Sequence, residues 1–409
     1  MGSNLADSNV TAPSSKSSLR AILTSLVPLF VIAHLTHHLV TALPTPLSPY
    51  IRDEFSLSST QVGWLLSAFS LSYGFSQLPG GWLADHIAPR ILITLATCGV
   101  AGVGFLIGIS HSYILLVMLL IIMGVLGGGY HPSVAPLLMA SVEPKNRTQA
   151  LGFHMIGGTG SHFISPLVAV ALAAIWGWRG AYIGLAVPTV VFGVIFYILL
   201  GRYNSTHSSG QRRNRGATEA GVRPKPISHI VLFLIIGTVL HALNNTAISF
   251  IPLFMINRFG VDKKDAAGLL SLVYFSGFWA SPLGGFLADR LGKMPVILLP
   301  GLLSAPIVFL LTKSPFGLGI YALLILLGAV GPLRSPVTEA YIVERTAPER
   351  RSTILGFYFF SNMESAGVLT PVMGYVVDRA SFQFAYTGVA AILLVGSIVF
   401  LLTFWRERD

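Results

Sequence analysis

The chain has 409 residues, 53% hydrophobic and 10% charged, against roughly 25% charged in an average soluble domain. That balance excludes a soluble enzyme or binding module and defines a membrane protein. The net charge of +10 does not indicate nucleic acid, because the basic residues are scattered over short connections rather than gathered on one soluble domain.

A bilayer core takes about 20 mostly apolar residues per helix, and the sequence supplies such runs almost end to end. There is no period-2 strand pattern, so helices rather than a barrel must satisfy the backbone in lipid. Residues 1–18 are polar and Ser-rich and read as a disordered cytoplasmic N-terminus. The first apolar run has no small-residue cleavage site and leads into further spans, so no cleavable signal peptide is expected.

Gly, Pro and charge punctuation predicts twelve spans. Spans 1 to 6 fall at 21–48, 59–83, 90–110, 113–140, 149–174 and 179–200. Spans 7 to 12 fall at 228–257, 265–288, 294–312, 316–341, 353–377 and 382–404. The expected fold class is an all-α membrane protein of twelve transmembrane helices in two pseudo-symmetric six-helix halves, at 19–200 and 227–405, with a cytoplasmic tail at 406–409. The polar stretch 201–226 carries Arg202, Arg212, Arg213, Arg215, Arg223 and Lys225 and reads as a flexible basic linker. The single cysteine, Cys98, lies in an apolar run, so neither a disulfide framework nor a cysteine-based metal site is available.

The halves are legible as a repeat. Gly80-Gly81-Trp82-Leu83-Ala84-Asp85 returns as Gly284-Gly285-Phe286-Leu287-Ala288-Asp289. The same offset carries Leu151-Gly152-Phe153 onto Leu355-Gly356-Phe357, Pro132 onto Pro336, Arg147 onto Arg351 and His37 onto His241. One ungapped register over that length indicates duplicated halves of parallel orientation. Most of the 26 lysines and arginines fall on the side of the two termini, which places both termini in the cytoplasm of a bacterial or archaeal cell.

The run Gly81, Leu83, Ala84, Asp85 and Arg90 resembles the loop signature of the major facilitator superfamily between its second and third helices. Gly285, Leu287, Ala288, Asp289, Gly292 and Lys293 match it more fully, whereas the first copy has Ala88 and Pro89 at later positions of the pattern. A weaker resemblance is to the fosmidomycin-resistance branch of drug and proton antiporters. It is carried by the segment from His34 to Pro49, by Tyr130-His131-Pro132, and by Gly157-Gly158 with Ser165-Pro166-Leu167. Thr41 or His38 stands where that branch would have an acid in span 1, and Ser133 where it would have a Glu. The superfamily resemblance implies that spans 1, 4, 7 and 10 line a central cavity. It also assigns Asp85, Arg90, Asp289, Lys293, Arg147 and Arg351 to gating contacts at helix ends, away from substrate.

Ionisable groups inside a span cost several kcal/mol and are functional candidates by default. Glu364 lies well inside span 11, as a proton carrier or as the ion-pair partner of Arg334 in span 10. Arg334 would bind a carboxylate or phosphate group if it faces the cavity unpaired. His34, His37 and His38 share one helical face, and His131, His154, His162 and His241 are distributed over spans 4, 5 and 7. Imidazoles relay protons near neutral pH and bind transition metals. His37, His38, His131 and His241 are the candidates for substrate or proton binding, together with Asn245 and with Tyr130, which the repeat aligns with Arg334. His34, His154 and His162 read as structural residues bonded to backbone or hydroxyl groups.

Phosphate-binding loops, nucleophile elbows and dinucleotide fingerprints are absent, so neither an enzyme nor a cofactor is expected. The leading expectation is a secondary transporter that moves a small organic compound, with organic anions among the candidates, by alternating access, coupled to protons and directed outward. The alternatives are organic-anion uptake or exchange centred on Arg334, divalent-metal export through His37, His38 and His241, and a non-transporting receptor on the same fold.

Overall fold

Proline and glycine decide where each apolar run bends. The computed structural model describes residues 25–143, 147–207, 227–346 and 351–405. Span 1 forms α1 (Val27–Thr41) and α2 (Pro44–Phe55), divided at Ala42 and Leu43 where Pro44 opens a new helix. Spans 2 and 3 are α3 (Ser59–His86) and α4 (Pro89–Gly108). Span 4 divides at Gly128 and Gly129 into α5 (Tyr113–Gly127) and α6 (Tyr130–Ala140). Spans 5 and 6 run on as α7 (Arg147–His207), interrupted at Gly177, whose φ of 71° takes it out of helical geometry. Helix α7 continues to His207, past the point where the sequence suggests the linker begins.

The second half repeats the plan. Span 7 gives α8 (Ile227–Ser249) and α9 (Ile251–Phe259), and span 8 gives α10 (Lys263–Phe275) and α11 (Gly277–Leu291). Spans 9 to 12 are α12 (Lys293–Leu311), α13 (Leu318–Arg345), α14 (Arg351–Arg379) and α15 (Phe382–Phe404). The described residues contain no strand. Nine described stretches are long and apolar enough to cross a membrane, and one of them, Phe153–Arg202, holds the predicted spans 5 and 6. Helices α3 and α14 are not among the nine. Where they pack together, Ser59, Gly63 and Ser67 of α3 meet Gly374, Pro371 and Gly367 of α14, small or weakly apolar residues that lower the hydropathy and let the backbones approach.

The repeat has a physical basis in two glycine contacts that recur at the same offset. A Cβ at Gly80 would come within 3.1 Å of the Gly129 Cα, and one at Gly284 would strike the Leu333 carbonyl. A Cβ at Gly124 would lie 2.6 Å from the Phe69 carbonyl, and one at Gly328 would strike the Val273 carbonyl. Ser76 Oγ donates to the Gly124 carbonyl at 3.1 Å, and Ser276 Oγ to the Ile325 carbonyl at 2.6 Å. Spans 2 and 4, and spans 8 and 10, therefore meet backbone to backbone. Only glycine permits that approach, which is why the Gly-Gly runs appear in both halves.

Candidate functional site

Six histidines gather where α1, α6 and α7 meet. Helix α7 comes close to α1 because it presents glycines there: a Cβ at Gly157 would strike the Val31 carbonyl, and one at Gly158 would lie 2.6 Å from His34 Nε2. His34 stacks on His154 with ring centroids 4.2 Å apart and meets His38 at 4.9 Å and His131 at 5.3 Å. His162 lies 5.3 Å from His38 and 5.2 Å from Tyr274 of α10, so the array reaches into the second half.

His37 stacks on Tyr130 at 4.4 Å, and its Nε2 is 3.3 Å from Tyr73 Oη. Its Nδ1 and the Tyr130 hydroxyl are buried without a hydrogen-bond partner among the described residues. The structural reading of His34 and His154 holds in part. His34 Nδ1 donates to the His154 carbonyl at 3.0 Å and His154 Nδ1 to the Phe30 carbonyl at 3.1 Å. Yet both rings, with His162, belong to the same array as His38 and His131. The sequence signal for that gathering is Gly157-Gly158, which draws the helices together.

The second half holds a different constellation. Arg334 is buried at 5% exposure, and its Nη2 donates to the Gly237 carbonyl at 3.1 Å. No described carboxylate lies within ion-pair distance of it. His241 Nε2 and Asn245 Nδ2 are 2.8 Å apart on successive turns of α8, and Arg334 lies close enough for its charge to act on His241. Tyr358 of α14 lies near both Arg334 and Glu339, while Glu339 itself contacts Ser335 at 3.2 Å. Thus the sequence candidates separate into two groups: His37, His38, His131 and Tyr130 in the first half, and His241, Asn245 and Arg334 in the second. His241 pairs with Asn245 and does not join His37 and His38, so the metal-ligand set expected from spans 1 and 7 does not assemble.

The polar contacts between the halves lie towards the end opposite the termini, and aromatic contacts continue to the middle of the helices and beyond. Ser67 Oγ donates to the Gly367 carbonyl at 2.5 Å, and Gly63 abuts Pro371 closely enough that a Cβ would sit 2.7 Å from its Cα. Lys263 pairs with Asp53 at 2.5 Å and lies 4.7 Å from the Tyr50 ring centroid. Phe75 meets Phe360 at 5.3 Å, and Phe163 meets Phe275 and Phe278 at 5.8 and 5.7 Å.

Of the expected gating residues, Arg90 lies over the Tyr197 ring at 5.2 Å, a contact within its own half. Lys293 opens α12. The side chains of Asp85, Asp289, Arg147, Arg351 and Glu364 lie outside the described residues, as does the linker from residue 208 to 226.

Two helical halves of parallel orientation, sealed together at one end and burying imidazoles and a guanidinium, have the architecture of a secondary transporter that works by alternating access. Residues 30–274 and 233–409 match the Major Facilitator Superfamily. The chain belongs to that superfamily.

Its relatives are transporters. It is 24% identical to the probable sulfoacetate transporter SauU of Cupriavidus necator over 87% of each chain. It is 22% identical to the fosmidomycin resistance protein of Escherichia coli over 92% of each chain. A probable L-galactonate transporter of Escherichia coli is 26% identical over 59% of this chain and 56% of its own length. Among solved structures, a bacterial homologue of the human lysosomal transporter Spinster, inward-facing and occupied, superposes with a TM-score of 0.72 at 16% identity, covering 94% of this chain and 98% of its own. A POT family transporter in complex with 5-aminolevulinic acid gives 0.77 at 12% identity, covering 93% and 96%. The protein is thus an integral membrane transporter and not an enzyme.

Proposed function

We propose that the protein carries a small organic anion across the cytoplasmic membrane of a bacterium, outward and coupled to protons, with Arg334 as the anion anchor. The observation that supports this most is the burial of Arg334 against a single backbone carbonyl among the described residues. A guanidinium has five N–H donors in a fixed fork, and a buried charge is costly without a counter-charge. A carboxylate, sulfonate or phosphate on the substrate would supply that charge and use the remaining donors in pairs. Asn245 and His241 stand beside the anchor and would hold the polar remainder of the substrate. Relatives named for sulfoacetate and galactonate support an anionic cargo. Relatives named for fosmidomycin and multidrug resistance support export.

Proton coupling is assigned to Glu364 on α14 and His241 on α8, with Arg334 as the charge that acts on His241. With both termini cytoplasmic, the sealed end is the outer one. Rocking of the halves would then break the α3–α14 contacts and expose Arg334 to the other side. Retained ionisable groups inside the bundle favour transport over a receptor role on the same fold.

The test uses proteoliposomes with an imposed pH gradient and a panel of radiolabelled aldonates, sulfonates and cationic drugs. Gradient-driven flux of an anion, lost in Arg334→Gln and partly kept in Arg334→Lys, is the expected result. Flux that ignores the gradient removes proton coupling, and preference for cationic drugs removes the anion anchor. The sign of the flux relative to the gradient decides between export and uptake.

A further inference from the structure

His34 and His38 stand four residues apart on α1, the spacing that places two imidazoles on one face of a helix. His131 reaches that face from α6, and one ring nitrogen from each of the three lies within 4.8 Å of the others. One hydrogen bond fixes the tautomer of His34, and another accommodates the ligating tautomer of His38. His34 Nδ1 is 3.0 Å from the His154 carbonyl, which only accepts, so Nδ1 is protonated and Nε2 keeps its lone pair. Thr41 Oγ1 is 3.1 Å from His38 Nδ1 and 3.4 Å from the His37 carbonyl. The hydroxyl can accept from His38 Nδ1–H while its own proton lies on that carbonyl, and this is the tautomer that leaves Nε2 free for a metal. One nitrogen held by a hydrogen bond and the other presented with its lone pair is the arrangement of metal-ligating histidines. His131 has no hydrogen bond to either nitrogen among the described residues and is half-buried, which gives an ion a path in.

We infer that His34, His38 and His131 form a binding site for a late first-row transition-metal cation of the zinc and copper(II) class, separate from the organic-anion site at Arg334. The group contains imidazoles alone, with no carboxylate or thiolate among the described residues. That donor set disfavours magnesium and calcium, which take oxygen ligands, and suits zinc, copper and nickel. Three histidines leave a fourth tetrahedral position for water or an anion. Zinc–nitrogen bonds of about 2.0–2.1 Å bring ligand nitrogens to roughly 3.4 Å apart, so binding draws the three rings inward by side-chain rotation. The ligands belong to two helices of one half. The cation therefore ties α1 to α6 and stabilises that half without locking the two halves together.

The test titrates untagged, chelator-treated full-length protein in detergent with Co²⁺, whose tetrahedral nitrogen sites absorb visibly, and then displaces it with Zn²⁺. One equivalent of cobalt should give that absorption, and zinc should both abolish it and raise the melting temperature. His38→Asn and His131→Asn should lose the absorption. Thr41→Val, which removes only the partner of His38 Nδ1, should bind about 10- to 100-fold more weakly. His111→Gln, an exposed histidine outside the array, should bind as the wild type does. No cobalt absorption in the wild type, or absorption retained in both ligand variants, overturns the inference. If a ligand variant does not fold, zinc protection of the wild-type histidines against diethyl pyrocarbonate decides. Protection of His131 supports the site, and equal modification with and without zinc overturns it.

Discussion

Asp378 at the end of α14 caps the first turn of α3 at Thr60, and so joins the two halves. Its carboxylate accepts Thr60 N–H at 2.7 Å, Thr60 Oγ1–H at 2.6 Å and Ser59 N–H at 2.7 Å. The cap within α3 is already filled: Ser58 Oγ accepts from Gln61 N and the Gln61 side chain accepts from Ser58 N. Ser58 thus satisfies one open N–H of the helix start, and Asp378 satisfies two more from across the interface. An anion at a helix N-terminus is also favoured by the helix dipole. The seal at that end therefore includes a capping interaction that must break whenever the halves part there.

Asp378→Asn should loosen the seal. The measurement is the rate at which a membrane-impermeant thiol reagent labels Ser70→Cys from the sealed side. About fivefold faster labelling is expected if the cap contributes on the order of 1 kcal/mol, as N-caps do. Unchanged labelling would show that the glycine and serine contacts of α3 and α14 close the seal alone.

The seal should also resist mild acid. Burial raises the Asp378 pKa, but hydrogen bonds from Thr60 and Ser59 outweigh it and leave the group below its ordinary 3.8. A depressed carboxylate pKa means that the cap is fully present above the ordinary value and is lost as pH falls through the lower one. Labelling of Ser70→Cys should stay constant from neutral pH down to about pH 4 and rise only below that.

Glu54 gives a second acid-sensitive contact at the same end. Arg179 donates to it at 2.7 Å and Trp178 Nε1 at 2.6 Å. Its side chain is 41% exposed, so solvent screens the pair. Glu54→Gln should lower stability by about 0.5 kcal/mol at neutral pH, read as a melting shift in detergent. The difference from wild type should vanish in acid, once the wild-type carboxylate is protonated and no longer pairs with Arg179.

The Gly-Gly runs make a paired prediction. Gly284→Ala drives a Cβ into the Leu333 carbonyl, whereas Gly285→Ala meets nothing within 4 Å. The first should cost about 1–3 kcal/mol as an overpacked helix contact. The second should be neutral or slightly stabilising, because Ala is the better helix former by up to about 1 kcal/mol. Thermal melting of the two purified variants distinguishes them, and equal melting temperatures would contradict the close-packing account of the repeat.

The duplicated plan was legible because it is a local matter: glycines mark close helix contacts, prolines and Gly177 mark the breaks, and apolar runs mark the spans. Arg334 and Glu364 could be singled out because a charge inside an apolar run is expensive wherever it points. The gathering of His34, His154 and His162 with His38 and His131 was not legible. It depends on how closely α7 lies against α1, and only Gly157-Gly158 hints at that distance. The pairing of His241 with Asn245 instead of His37 follows from helix position within each half, which the internal repeat does not encode. The Asp378 cap joins residues from opposite halves, and no local pattern links them.

The account turns on Arg334 as the anchor of an anionic substrate, and a counterflow measurement tests it most directly. Proteoliposomes are loaded with one unlabelled anion, and entry of its radiolabelled form is followed for wild type, Arg334→Gln and Arg334→Lys with no pH gradient imposed. Wild type should exchange the anion, Arg334→Gln should lose exchange by about 100-fold, as removal of a buried charged hydrogen-bond partner of 2–5 kcal/mol implies, and Arg334→Lys should keep part of it. Exchange by Arg334→Gln at the wild-type rate would contradict the account.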